Sequence, residues 1–272
     1  MTTLTPGNTN SLRWTFVDGW TIVRRNLAQL RHTPSEIIGT LMFPIIMIVI
    51  FGYIFGSAIP VPGGGNYREY LTPGLFTMIA TSAVVATLQK VAADGDKGVM
   101  DRFRSMPMAR LAIPFGQTGA DLIVSVFAMI AMAVCGLAVG WRVHNGIPSM
   151  LAAFGLLLLF GYSLNWAGVY LGLRVRNEST ADKLAPLYLP VSMLSNTFVP
   201  TGGMPAWMRT IADWNPVSAL VAACRQLFGN PGVVQSTAWP LQHPILATLC
   251  WSALLLLIFV PLAGRRYGLT AR

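Results

Sequence analysis

The side chains that could carry acid-base, nucleophilic or metal chemistry are sparse in this sequence and do not converge. His32, His144 and His243 fall in three separate regions, and Cys135, Cys224 and Cys250 are far apart and odd in number, with neither metal-ligand spacing nor a disulfide framework. No HExxH, no GxSxG and no nucleotide-binding Gly-Lys-Ser/Thr loop occurs. Asp94 and Asp96 are the one acidic pair that could be imagined around a divalent cation, which would suit a membrane-embedded enzyme acting on lipids. Without a catalytic constellation the chain is not expected to be an enzyme. If it moves anything uphill, the energy must come from elsewhere.

The densest charge lies in Asp94-Gly-Asp-Lys-Gly-Val-Met-Asp-Arg-Phe-Arg-Ser-Met-Pro-Met-Ala-Arg110, between two long apolar segments. A charged stretch flanked by apolar spans stands in water. Val99, Met100, Phe103 and Met106 recur at spacings of one, three and three, so a short helix from about residue 97 gathers them on one side, with Asp101, Arg102 and Arg104 elsewhere. Pro107 ends it, because its ring cannot continue the hydrogen-bond ladder. Such a helix is offered to a partner; the plainer alternative is a solvated loop whose charges only set topology.

The elements that must hold this stretch are membrane elements. Of the 272 residues, 54% are hydrophobic and 11% charged, whereas a soluble domain carries about 25% charged residues. The net charge of +9 comes without a Lys/Arg run, zinc-ligand spacing or stacking-aromatic motif, so nucleic acid is not expected as a partner. The N-terminus, Met1 to Ser11, is polar and uncharged and does not read as a signal peptide.

Residues 14–33 read as a helix lying flat on a membrane surface, with Val17, Trp20, Val23, Leu27 and Leu30 on one face. Six spans are expected: about 37–58, 71–90, 113–139, 148–173, 184–199 and 244–263. Small-residue pairs four apart, Gly52 and Gly56, Gly136 and Gly140, Gly168 and Gly172, read as helix packing, with a subunit interface as the alternative. Asp121, two turns into the third span, reads as a carboxylate still at the headgroup level, with a functional residue at membrane depth as the alternative. The fifth span is short and bracketed by Pro186, Pro190 and Pro200.

Between spans 5 and 6 lie two short apolar pieces, 204–214 and 217–228, joined by Asn215-Pro216, an N-cap followed by a proline at the first helical position. They read as a hairpin that enters the outer leaflet and returns. The expected fold class is therefore an all-α integral membrane protein of six transmembrane helices, with an interfacial N-terminal helix, a cytoplasmic helix between spans 2 and 3, and an outer re-entrant hairpin. Three parts follow: a cytoplasmic N-terminus over 1–35, the six-span domain over 36–264 and a tail over 265–272.

Lys and Arg number four in the N-terminal segment, five in residues 90–110, three in 174–183 and three in the tail, so fifteen of the nineteen lie on one side. The positive-inside rule places both termini and the central charged stretch in the cytoplasm.

That order of elements resembles the ABC transporter type 2 permeases, and most nearly the daunorubicin-resistance type of drug exporter, over about Trp14 to Arg266. In that family the cytoplasmic helix typically reads Glu-Arg/Lys-Gly-Thr-Leu-Glu-Arg-Leu with a proline four residues on. Asp96, Lys97, Gly98, Val99, Met100, Asp101, Arg102, Phe103 and Pro107 stand at the matching positions, with Asp for both Glu residues, Val99 for Thr and Phe103 for Leu. The stretch Pro200-Thr-Gly-Gly-Met-Pro-Ala-Trp207, with Pro205, Trp207, Asn215 and Pro216, looks like the family's second signature.

The resemblance implies a permease subunit of an ATP-driven exporter in the plasma membrane. Two copies, identical or related, would form the pathway, and a separate cytoplasmic ATP-binding subunit would hold the ATP and magnesium, this chain binding no cofactor. The helix over 97–106 would be the coupling helix. Spans 1, 2 and 5 line the pathway in the family, which makes Phe43, Phe51, Phe55, Met78 and Asn196 candidates, and an apolar, aromatic lining would suit a lipophilic or amphiphilic drug, antibiotic or lipid. A lipid-linked polysaccharide exporter shares the architecture and stays open, as do the lipid-modifying enzyme and a non-transporting scaffold.

Overall fold

The computed structural model describes residues 23, 24, 42, 45–54, 61, 64–98, 112–232 and 236–269. Helix is the only regular structure among them, as long apolar runs require, since in lipid a backbone satisfies itself only within a helix or a closed barrel. In chain order the helices are α1 (Ile45–Ile54), α2 (Tyr67–Asp96), α3 (Ala112–Val139), α4 (Gly146–Val175), α5 (Glu178–Leu184), α6 (Tyr188–Met193), α7 (Ala206–Trp214), α8 (Pro216–Phe228), α9 (Trp239–Gln242) and α10 (Pro244–Leu269). Among the described residues four helices, α2, α3, α4 and α10, are long and apolar enough to cross a membrane.

The centre of the fold is α2. Its most apolar stretch is 72% buried, against 22%, 33% and 17% for α3, α4 and α10. Asn66 starts α2 by accepting from the Arg68 N–H, and Glu69 in the first turn complements the helix dipole. Arg68 then ties three elements together. It donates to the Gly52 carbonyl in the π turn Ile50–Ile54 of α1 (3.1 Å) and to the Val139 carbonyl ending α3 (3.3 Å), and its guanidinium lies 4.1 Å over the Tyr53 ring.

The closest helix pair is α2 with α4, and glycines make it so. A Cβ at Gly161, Gly168 or Gly172 would meet the Ala80, Val84 or Leu88 carbonyl of α2 at 2.9, 2.7 and 2.9 Å, so only hydrogen fits there and the backbones touch. Gly168 and Gly172 thus pack within the chain. Gly136 does so too, against Thr72 and Trp141. Beyond this seam Phe76, Trp141, Phe154 and Phe228 form an edge-to-face cluster joining α2, α4, α8 and the α3–α4 turn.

Three differences from the expected layout have local causes. The helix of the second span runs on to Asp96, so Asp94 and Asp96 belong to its last turn rather than to a separate wet stretch. Residues 178–184, expected as charged loop, form α5, because the Asn177 side chain accepts from Thr180 N and so caps a new helix. The fifth span, expected over 184–199, is not one helix.

In its place α5 passes through a 3-10 turn (Ala185–Leu187) into α6, which stops at Met193, and 194–200 are not helical. Pro186 and Pro190 remove donors from the ladder, and the Asn215 side chain takes up the Val191 and Leu194 carbonyls at 3.1 and 2.7 Å, so the helix end is satisfied where it stops. Of the first span only 42 and 45–54 are described, and of the flat N-terminal helix only Val23 and Arg24, with Val23 buried and 3.2 Å from where a Gly119 Cβ would stand.

The glycine seam gives a direct test. Gly168→Leu is expected to force α2 and α4 apart at a cost of about 1–3 kcal/mol, read as a lower melting temperature of the detergent-purified chain. Gly155→Leu, on an open face of the same helix with nothing within 4 Å, is expected to melt like the wild type. Equal melting of the two variants would mean that the seam is not close-packed.

Candidate functional site

Two regions concentrate polar groups inside this apolar frame. The first surrounds the non-helical stretch 194–200, whose carbonyls have no helix to serve them. Ser195, Asn196, Thr197 and Phe198 are all buried, so partners must come from side chains.

Arg225 of α8, fully buried, supplies two of them. Its Nη2 donates to the Asn196 and Thr197 carbonyls at 2.9 and 3.2 Å, and its Nε to the Tyr70 carbonyl of α2 at 3.0 Å. The guanidinium carbon stands 3.6 Å over the Tyr70 ring. The Tyr70 hydroxyl donates to the Asn196 carbonyl (3.0 Å) and the Tyr67 hydroxyl to the Phe198 carbonyl (2.9 Å). Ser218 of α8 completes the set by accepting from the Asn196 N–H (3.1 Å). Arginine suits this place because its five donors form a planar fork and its charge is spread and weakly hydrated. No carboxylate lies within ion-pair distance of it among the described residues, so carbonyl dipoles and a ring face stand in for a counter-charge.

The positions expected to line a pathway are distributed around this node. The Phe51 ring lies tilted against Phe198 with centroids 5.1 Å apart, and Asn196 lies within the node, fully buried. Met78 is buried two turns along α2 from Tyr70, and its carbonyl accepts from the Tyr188 hydroxyl (3.1 Å), which also pairs with Thr81 Oγ1 at 2.7 Å. Phe43 and Phe55 lie outside the described residues.

In the hairpin Pro205 precedes α7, Asn215 caps α8 by accepting from Val217 N, and Pro216 is the first residue of α8. Trp207, Ile211 and Trp214, at spacings of four and three, leave one face of α7 exposed, while Arg209 on the other side donates to the Thr201, Gly202 and Met204 carbonyls.

The second region is the polar end of α2. Lys97 caps the helix through its N–H to the Ala93 carbonyl, and Gly98 turns the chain away with φ +66°. Asp96, Lys97 and Gly98 are therefore placed where α2 gives way to the next segment; Met100, Asp101, Arg102, Phe103 and Pro107 lie outside the described residues. The Lys97 ammonium is 3.4 Å from Glu178, and Gln89 Nε2 donates to Asp182 at 2.8 Å, both on α5. Asp121 of α3 is mostly enclosed: Thr87 donates to it at 2.7 Å and Lys90 stands at 3.9 Å. Among the described residues no three His, Cys, Asp or Glu side chains converge as they would on a metal ion.

Sequence reading passed over Arg225, Tyr67, Tyr70 and Ser218. One signal was available for Arg225: an arginine inside a short apolar helix cannot stay unpartnered. Its partners lie 28 to 155 positions away, and no periodicity points to them.

Comparison with known proteins supplies the context for this geometry. The family described as ABC-2 type transporter matches residues 18–228. A daunorubicin resistance ABC transporter permease protein of Streptomyces coeruleorubidus is 30% identical over 245 residues, which cover 89% of this chain and 83% of that protein. A doxorubicin resistance ABC transporter permease protein of Mycobacterium tuberculosis is 29% identical over 243 residues, covering 85% of this chain and 82% of the other. A putative transport permease of Cyanophora paradoxa is 22% identical over 214 residues, covering 77% of this chain and 73% of its own length.

If Arg225 holds the 194–200 stretch, Arg225→Met leaves the Thr197 carbonyl without a donor, while Asn196 keeps the Tyr70 hydroxyl. The substitution is expected to lower stability by about 1–3 kcal/mol. Melting of the purified variant in detergent checks this, and a melting temperature at or above the wild-type value would contradict it.

Proposed function

The chain belongs to the ABC-2 type transporter family, and on that premise we propose that it is the permease of a drug exporter that takes its energy from a separate ATP-binding subunit. The chain is a multi-pass membrane protein and, as a transporter permease, not itself an enzyme. The observation that carries the reading is the 30% identity to a daunorubicin-resistance permease over 89% of the chain. The relatives' names, daunorubicin and doxorubicin resistance, point to an amphiphilic aromatic drug as cargo rather than to a lipid-linked polysaccharide.

In this reading six segments cross the plasma membrane with both termini in the cytoplasm. The division of Lys and Arg supports that orientation, and four long apolar helices support the crossing. The fifth segment is the broken one, α5 to Phe198, and it crosses with its irregular part covered by protein. The hairpin α7–α8 enters from the outer side and brings Arg225 to that part.

Two copies of the chain form the pathway, with Phe43, Phe51, Phe55, Met78 and Asn196 along it, and lipid surrounds both. ATP and magnesium sit on the partner subunit. The coupling helix, expected from about residue 97, then begins after the turn at Gly98: Met100 and Phe103 seat in a cleft of that subunit, Asp101, Arg102 and Arg104 pair at its rim, Asp96, Lys97 and Gly98 lead in from α2, and Pro107 ends the helix. Closure of the ATP-binding pair drives these helices together and switches the spans between two packings.

The test is retention of the partner. The tagged chain purified from its own host in mild detergent is expected to bring down an ATP-binding subunit, and Asp101→Arg with Arg102→Glu to lose it roughly tenfold, which is about 1.4 kcal/mol of binding, while still inserting in the membrane. Failure of the wild type to retain any ATP-binding subunit in detergent or nanodiscs would overturn the reading.

A further inference from the structure

Helix α5 is attached to the polar end of α2 more firmly than a surface loop would be. Ala181 is fully buried and packs with Leu88, Ala92 and Val175. Flanking it on the same face of α5, Asp182 accepts from Gln89 at 2.8 Å and Glu178 pairs with Lys97 at 3.4 Å. The two helices run antiparallel, since 178 meets 97 and 182 meets 89. The turn that leads into α5 also lies on α2, with the Arg176 Cα 3.6 Å from where a Gly95 Cβ would stand.

From there the chain keeps helical dihedrals without interruption. Leu184, Ala185, Leu187 and Tyr188 are all right-handed, so α5, the 3-10 turn and α6 form one rod from Glu178 to Met193, about 24 Å at 1.5 Å per residue. One end of the rod sits beside the residues that open the coupling stretch. The other end runs directly into 194–200, the stretch on which Arg225, Tyr67, Tyr70 and Phe51 converge.

We propose that α5 is the tie that carries displacement of the coupling end of α2 to the broken fifth segment, and that Glu178 and Asp182 are positioning residues for transport. This rests on the ATP-coupled reading above. A push on the coupling stretch moves the end of α2, α5 moves with it through Ala181 and its two polar flanks, and the rod shifts 194–200 against the node. The side chains of 178 and 182 touch no cargo and no nucleotide; they keep two elements moving as one.

The test reads movement at the far end. In the intact complex with the ATP-binding subunit, Val199, an exposed position, is replaced by cysteine, with Cys135 and Cys250 changed to serine, and its maleimide labelling is timed with and without ATP plus vanadate. The labelling rate is expected to change about tenfold on trapping, in the range of a coupling between two sites. With Glu178→Ala and Asp182→Ala the change is expected to fall below about twofold while the subunit stays bound and hydrolyses ATP. Glu178→Gln with Asp182→Asn, which keeps both acceptors, is expected to restore it.

An unaltered response in the alanine pair overturns the proposal, as does a wild type whose position 199 does not respond to trapping. Loss of the bound subunit and of hydrolysis in the alanine pair also overturns it, since α5 would then be a docking or folding element. A wild-type chain that retains no ATP-binding subunit at all instead overturns the functional reading on which the proposal stands.

Discussion

Buried backbone between Leu194 and Pro200 imposes the constraint on which the rest of this structure depends. A helix would have satisfied those carbonyls locally; once it stops at Met193, each must find a donor in surroundings that exclude water. Arg225 meets two of these carbonyls and that of Tyr70 from one side chain, Tyr67 and Tyr70 add two hydroxyls, and Asn215 closes the helix end behind them. Burying a guanidinium is costly, and only this density of dipoles, with the Tyr70 ring beneath, offsets the loss of its hydration. The short helices α7 and α8 are there to bring Arg225 and Asn215 to that place.

The same comparison separates what is rigid from what can shift. Helices α2 and α4 meet backbone to backbone along three glycines, a contact that tolerates no small displacement because no side chain can rearrange to absorb it. The fifth segment is held to α2 in another way, by side-chain hydrogen bonds from Tyr188, Tyr67 and Tyr70 and by the Ala181 seam. Such bonds can exchange partners in steps.

Much of the architecture was legible in the sequence because it is local. Apolar runs of 20 residues or so announce helices, Asn215-Pro216 announces the start of α8, and Gly168 and Gly172 announce a close approach. The break at Met193 was half legible: Pro186 and Pro190 warned of it, yet proline in a span often only kinks it, and what decides for a stop is the Asn215 side chain arriving from 21 to 24 positions away. Asp121 shows the same limit. Its depth in α3 could be read, while its partners Thr87 and Lys90, one span earlier, could not. Arg225 is the extreme case, since its role is defined by carbonyls of residues whose own side chains carry no matching signal.

Energy-coupled movement of cargo through this chain is the central claim, and inverted membrane vesicles test it most directly. Vesicles from cells producing the chain together with its ATP-binding subunit are loaded with ATP outside, and entry of doxorubicin is followed by fluorescence. Accumulation that requires both subunits and hydrolysable ATP is the predicted result. Entry that is the same without ATP, or no entry while the complex hydrolyses ATP, would contradict the account of a drug-exporting permease.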